Sequence, residues 1–458
     1  MAPSSSASSE QTWSSGWTFI LAAVGAAVGL GNIWRFPYVV GESGGAAFIL
    51  VYVLCVIFVA VPILIGELMI GRRGSGSPPR AMASVAREAE RSTRWSVVAW
   101  LGLIAGFLIA TYYSVIAGWT LAYIQKALTG FGGAAAAEVG AQFDALQADP
   151  MTMTGWHTLF IIITLTIVGR GLQGGIEKAV KVMMPALFAM LILMIGYAAV
   201  AGDFKAGIEF LFSADFSKIN SGTVLVAIGQ AFFSIGVAMG LMMVYGAYVP
   251  KDVSLTRSAV IIAGADTLVA LLAGLMIFPL VFANGLDPAS GPSLIFRTLP
   301  AAFVDMPGGA IFGALFFLLL AFAAVTSLIA LIEPIVAYVI DKWGMRRRNA
   351  CIAVGTLAWA VGLGSVLSFN ELADLAPLSM FAVFETSTIF DLIDYFTANI
   401  FMPVGGILIA LFVGWRMHVN TLREELPVMG TTVFQAWLWM VRVVAPAAII
   451  WVMYSTFA

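Results

Sequence analysis

The sequence predicts an all-α membrane protein of about eleven transmembrane helices, and three observations carry that prediction. Of 458 residues, 61% are hydrophobic and only 10% are charged, which leaves too little polar surface for a body solvated by water. Apolar runs close to the roughly 20 residues that cross hydrocarbon recur along the whole chain, so the core is a bundle and not a soluble domain on one anchor. Glycine and polar residues interrupt two of these runs, the first and the sixth, which are equivalent positions if the chain is two five-helix halves.

Turn and charge punctuation places the spans at 17–40, 45–71, 96–127, 156–170, 176–201, 222–249, 256–283, 309–341, 350–367, 388–414 and 433–457. The fourth is short, because Trp156–Gly169 barely reaches across and Arg170 stops it. Residues 1–12 are Ser-rich with Glu10 as their one charge and lack the basic start and apolar run of a cleaved leader, so a disordered cytoplasmic tail is expected there. Cys55 and Cys351 fall inside apolar spans with no Cys/His cluster nearby, and are expected as buried thiols.

With the N-terminus inside, seventeen Lys and Arg fall in loops on the cytoplasmic side, against Lys126, Lys205, Lys218 and Arg297 opposite. That bias predicts a multi-pass protein of the cell inner (plasma) membrane with a cytoplasmic N-terminus and lipid as its solvent. The basic clusters read as topology anchors, and no nucleic-acid surface is visible in them.

A helix facing lipid must satisfy its own backbone, so a glycine cluster inside a span points to a segment shielded by protein and lining a cavity. The first span carries Gly25-Ala26-Ala27-Val28-Gly29-Leu30-Gly31-Asn32 followed by Arg35-Phe36-Pro37, and the sixth runs from Gln230 through Ser234 and Gly236 to Gly240. Small residues also allow close helix packing. Packing does not explain Asn32, Arg35 and Ser234, because polar and charged groups at membrane depth are costly and mark function.

The stretch Gly25–Pro37 resembles the first-helix signature of the neurotransmitter:sodium symporter family, whose bacterial amino-acid members define the LeuT-type fold. Tyr112-Tyr113 with Trp119, Gly229–Ser234, and Thr326-Ser327 followed by Glu333-Pro334 extend the resemblance, which runs from about Trp13 to the last helix. It implies a LeuT-type 5+5 inverted repeat with helices 1 and 6 broken: 13–201 the first repeat, 202–415 the second, and 416–458 a loop and eleventh helix. It also implies sodium-coupled import of a hydrophobic amino acid by alternating access, with no enzymatic activity.

By this resemblance two sodium ions are expected. The first would meet the Ala27 carbonyl, the Asn32 side chain, the carbonyl and hydroxyl of Ser234, and Asp266. The second would meet carbonyls of Gly25, Val28 and Ala323 and the hydroxyls of Thr326 and Ser327. Sodium is a hard cation, and both sets are all oxygen; the two hydroxyls have the alternative of bonding back to their own helix.

The substrate carboxylate would lie on the backbone N–H groups of Leu30 and Gly31, at the positive end of a half-helix, with the Tyr113 hydroxyl as a further donor. Amine-transporting relatives place an aspartate where this chain has Gly29, so a carboxylate-bearing substrate is expected. Pocket walls would come from Ala26, Ile109, Phe233, Gly236, Met239, Ser327, Ala330 and Leu331, with no acid or base among them, which suits Leu, Ile, Met, Phe, Tyr or Trp.

Arg35 and Asp394 resemble the outer gate, with Tyr113 and Phe233 as a lid, and Asp341 resembles the acidic inner-gate residue. The usual arginine partner of Asp341 should lie just before Trp13, where this chain has Glu10, Gln11 and Thr12. Gly175 and Pro185 reproduce a spacing at which span five unwinds in relatives. Asp266 supplies a fixed negative charge beside the first ion, which predicts independence from chloride. A sodium-conducting channel and a non-transporting amino-acid sensor on the same fold are the alternatives; the channel would need a continuous polar pore in place of an apolar pocket between two gates.

Overall fold

The computed structural model describes residues 12–288 and 291–457, so Glu10, Gln11 and nearly all of the expected tail lie outside the described residues. The regular structure is helical, and the one β-type contact among the described residues is an isolated bridge between Gly45 and Ala214. The first span is α1 (Gly16–Ala27) and α2 (Gly31–Glu42), which meet at a bend of 48°. After it come α3 (Ala46–Gly74), the short α4 (Pro78–Glu88), α5 (Ser96–Leu128), α6 (Ala136–Ala148), α7 (Pro150–Val168) and α8 (Leu172–Ala201). A short α9 (Phe204–Phe212) leads to the sixth span, split into α10 (Ser221–Ile235) and α11 (Leu241–Ala247). The chain ends with α12 (Leu255–Ala283), α13 (Thr298–Asp305), α14 (Gly309–Trp343), α15 (Arg347–Leu367), α16 (Ile389–Arg416), α17 (Val419–Glu425) and α18 (Thr431–Ser455).

Among the described residues nine of these helices are long and apolar enough to cross a membrane unbroken, and the two split spans bring the number to eleven. The fourth span starts earlier than its apolar run. Pro150 opens the helix and Asp149 caps it, accepting from the backbone N–H of Met151 at 3.0 Å and of Thr152 at 3.1 Å. The Thr152 hydroxyl, with these two N–H groups, holds the Asp149 carboxyl below the usual carboxylate range.

Helices α5 and α14 form the centre of the bundle. They are apolar all round, as a helix surrounded by other helices must be. The outer helices leave Ile57, Phe58, Val182, Ile192 and Trp451 exposed, a surface that only hydrocarbon would cover. Both cysteines are buried and free. The Gly175–Pro185 stretch stays wound, as a π-helical turn at Leu172–Ile176 running into continuous α-helix. Gly175 permits that turn, since a Cβ there would lie 2.0 Å from the Ile167 carbonyl oxygen.

Candidate functional site

The first span breaks because Val28, after Ala27, turns extended, with φ −70° and ψ 101°. The sixth breaks across Gly236–Gly240, where Gly236, Ala238 and Gly240 all take left-handed conformations, with φ of 75°, 64° and 76°. Glycine adopts this region freely, whereas for Ala238 it costs roughly 1–2 kcal/mol. The linker lies directly against α5: a Cβ at Gly106 would stand 2.9 Å from the Met239 carbonyl oxygen, and one at Gly102 3.0 Å from that of Ala238. Glycines on α5 thus let unwound backbone run through the bundle, shielded from lipid.

Between the two breaks is a pocket lined by Ala26, Ala27, Gly29, Gly31, Ile109, Tyr113, Phe233, Gly236, Met239, Leu241, Ser327 and Leu331. Seven of the eight expected wall residues are on that lining. Ala330 is not: it is fully buried in α14, while Ser327 and Leu331, one turn apart, carry the pocket face. Leu241 was not expected; as the first residue of α11 it lies at the end of the break, where helical periodicity gives no signal. Leu30 lies behind the lining, and its N–H donates to the Tyr113 hydroxyl at 3.0 Å. The Gly31 carbonyl accepts from Gln230 at 2.8 Å. At Gly29 a Cβ would be 2.4 Å from Ser327 Oγ and 2.8 Å from Tyr113 Oη, so no side chain fits there without displacing both.

Beside the pocket Asn32, Ser234 and Asp266 meet in one fully buried cluster. Asn32 Nδ2 donates to Asp266 Oδ1 at 2.7 Å, Ser234 Oγ at 2.9 Å and the Asp266 carbonyl at 3.0 Å, while Asn32 Oδ1 accepts from the Gly29 N–H at 3.1 Å. The Ser234 hydroxyl reaches the Asp266 carboxylate at 2.7 Å and that of Tyr52, from α3, at 3.2 Å. Every partner of this buried carboxylate is neutral, and a buried charge without a counter-charge is costly. The donor set suits a hard cation, and among the described residues no group of three or more His, Cys, Asp or Glu offers a transition-metal site.

Gly25, Val28, Ala323, Thr326 and Ser327 gather where α14 passes the first break. The Thr326 hydroxyl donates back to the carbonyls of Ala323 at 3.0 Å and Phe322 at 3.1 Å. The Ser327 hydroxyl instead crosses to the Val28 carbonyl at 3.4 Å. A Cβ at Gly25 would stand 3.4 Å from Thr326 Cβ, so the two segments are in contact.

Phe233 lines both this pocket and a larger vestibule of about 480 Å³, which also holds Arg35, Tyr112, Arg297 and Asp394. The expected outer-gate charges share the vestibule but do not form an ion pair within 4.0 Å. Arg35 lies over the Phe233 ring, 5.1 Å from its centroid, and Asp394 accepts from the Tyr112 hydroxyl at 3.0 Å. At the vestibule mouth Arg297 forms an ion pair with Asp144 of α6, and Phe143 stacks on Phe296 at 5.3 Å.

The opposite side is closed by Trp13, whose indole N–H donates to the Tyr245 carbonyl at 3.1 Å and whose ring packs edge-on against Tyr245 and Tyr248. Asp341 finds its cation in Arg80 of α4, at 3.5 Å, and accepts the Ser77 N–H at 2.7 Å. Buried Glu333 pairs with Arg347 and accepts from Tyr248 at 3.1 Å, and Ser14 bonds Glu177 through both its N–H and hydroxyl at 2.7 Å. If the Asp341 contacts hold this side shut, Asp341→Ala should raise several-fold the labelling of a cysteine placed at Ala337, which lines the adjoining cavity, by a membrane-impermeant thiol reagent. Unchanged labelling would remove the closure.

Interrupted helices around a buried pocket, a vestibule on one side and a bonded closure on the other define a multi-pass membrane transporter. A profile described as the Sodium:neurotransmitter symporter family matches residues 10–133 and 147–458. The chain belongs to the sodium:neurotransmitter symporter family, which makes it a sodium-dependent transporter and not an enzyme. It is 37% identical over 442 residues to the uncharacterized sodium-dependent transporter YhdH of Bacillus subtilis (strain 168), covering 96% of each chain. An uncharacterized sodium-dependent transporter of Haemophilus influenzae (strain ATCC 51907 / DSM 11121 / KW20 / Rd) is 32% identical, covering 97% of this chain and 98% of the relative. Among solved structures, MhsT in complex with L-phenylalanine matches with a TM-score of 0.90 and 41% identity, over 98% of this chain and 100% of that one. The architecture is the LeuT-type fold.

Proposed function

We propose that this transporter imports hydrophobic L-amino acids into the cell across the plasma membrane by alternating access, driven by two sodium ions and independent of chloride. The observation that carries the reading is the pocket itself: an apolar chamber with no charged side chain on its lining, closed at Gly29 where an acidic side chain cannot fit. A zwitterion there keeps its carboxylate on the Leu30 and Gly31 N–H groups and Tyr113, and its side chain against Ile109, Phe233, Met239 and Leu331. The similarity to MhsT, which holds L-phenylalanine, supports the same substrate class.

One ion takes the Ala27 carbonyl, Asn32, Ser234 and Asp266; turning the Asn32 amide over presents its oxygen to the cation. The other takes Gly25, Val28, Ala323, Thr326 and Ser327, which requires both hydroxyls to offer their lone pairs. Each sodium entering down 100 mV contributes about 2.3 kcal/mol before its concentration gradient is counted. Arg35, Asp394 and Phe233 close the outer side, and Asp341 with Trp13 closes the cytoplasmic side, to which the N-terminus belongs by the charge bias of the loops.

The test is uptake of labelled leucine and phenylalanine into proteoliposomes with and without an imposed sodium gradient. Uptake indifferent to sodium, or preference for amines lacking a carboxylate, would sink the reading. Leu241→Ala should enlarge the pocket and shift competition toward tryptophan over leucine by roughly tenfold or more, the scale of one methylene in an apolar pocket. Binding competition across the two amino acids measures it.

A further inference from the structure

A groove of about 300 Å³ lies on the outside of the bundle, between the start of α12 and the segment leading into α18. Its chemistry is graded along its length. Arg257 and Thr256, in the first turn of α12, form the rim, and Val260 and Ile261 follow one turn deeper, facing Val428 and Val433 across the gap. Val260, Val428 and Val433 are 57%, 73% and 58% exposed, so nothing among the described residues covers this wall.

Neither the Arg257 guanidinium nor the Thr256 hydroxyl has a hydrogen-bond or ionic partner among the described residues. The nearby acids of α17 are already engaged, Glu425 with Arg72 at 2.7 Å and Glu424 with Arg73 at 3.0 Å. Ser254 spends its oxygen capping the Arg257 N–H. The groove therefore ends in donors and a net positive charge, at the end of the bundle where the basic loops gather.

We propose that this groove binds an anionic phospholipid of the surrounding bilayer, its phosphate at Arg257 and Thr256 and one acyl chain along Val260, Ile261 and Val433. A basic rim opening onto exposed valines matches both the headgroup and the acyl chain of that molecule, whereas a soluble anion would use the rim alone. The two walls are also the segments that Arg72 ties together. Its guanidinium donates to the Val253 carbonyl at 2.6 Å, the Glu425 carboxylate at 2.8 Å and the Glu425 carbonyl at 3.0 Å. A lipid bridging α12 and the α18 lead-in reinforces that junction, so occupancy stabilises the folded protein.

The experiment is thermal unfolding of the purified full chain in neutral detergent, supplemented with phosphatidylglycerol or phosphatidylcholine, alongside native mass spectrometry of retained lipid. The wild type should gain several degrees from phosphatidylglycerol over phosphatidylcholine and retain the anionic lipid. Arg257→Gln should lose most of that gain, and Val260→Phe, which fills the slot without touching the charge, should lose it too. Arg348→Gln, an exposed arginine elsewhere on the basic surface, should keep it. Equal gains from both lipids, an undiminished gain in Arg257→Gln or Val260→Phe, or full replacement of the lipid effect by inorganic phosphate would each overturn the proposal.

Discussion

Asp266→Ser should lower sodium-driven uptake in chloride-free buffer by at least a hundredfold, and added chloride should restore part of it. The Asp266 carboxylate is fully buried and accepts from Asn32 at 2.7 Å, Ser234 at 2.7 Å and Tyr52 at 3.2 Å, all neutral groups. Its charge is tolerated there if a cation shares the cluster, and removing one partner of a buried charge pair costs about 3–5 kcal/mol, which is about two to three and a half orders of magnitude in affinity. Serine keeps an oxygen but not the charge, and leaves room for an anion to supply it. Initial rates over a sodium titration, with gluconate or chloride as counter-ion, measure the effect. Wild-type sodium dependence in the variant would take Asp266 out of the ion site; loss without chloride rescue would leave the ion site and remove the account of chloride independence.

Gly29→Ala should weaken substrate binding ten- to a hundredfold while the protein still unfolds as a cooperative unit. The added methyl would meet Ser327 Oγ at 2.4 Å and Tyr113 Oη at 2.8 Å, so the Tyr113 contact with the Leu30 N–H must give way. Overpacking of this kind costs about 1–3 kcal/mol, here at the atoms that receive the carboxylate. Tyr113→Phe removes the same donor without a clash, so it should lose less than Gly29→Ala does. Equilibrium binding of labelled substrate separates the two, and an unimpaired Gly29→Ala would contradict a carboxylate seat at this break.

The buried polar cluster was partly legible because polarity at membrane depth is conspicuous, whereas the Thr326–Ser327 set was expected only through the family resemblance. Asn32 and Ser234 stand out in apolar runs, Asp266 was expected through the resemblance alone, and the structure packs the three into one cluster across 202 and 234 positions of chain. Tyr52 joins the same carboxylate from α3, but a tyrosine in a span reads equally well as packing, so nothing marked it. The closure at Asp341 was half visible: the acid could be named, whereas Arg80 belongs to a short basic helix that reads as a topology anchor. The start of α7 was missed for a different reason, since its first turn is a polar cap and not part of an apolar run, although Asp149-Pro150 was the available signal. Arg35 and Asp394 were expected as partners, yet they form no ion pair within 4.0 Å; Arg35 lies over the Phe233 ring and Asp394 accepts from the Tyr112 hydroxyl.

Phe233 is the residue shared by the vestibule and pocket linings, so movement of its ring is the smallest change that could join the two compartments. On the other face an indole, two tyrosines and several bonded acids must come apart together. Side-chain rotation takes picoseconds to nanoseconds, and rearrangement of packed segments takes microseconds to milliseconds. If the site loads from the vestibule side, as proposed, turnover should be paced by discharge and not by loading, and a fast uptake burst on mixing with substrate is the measurement that checks it.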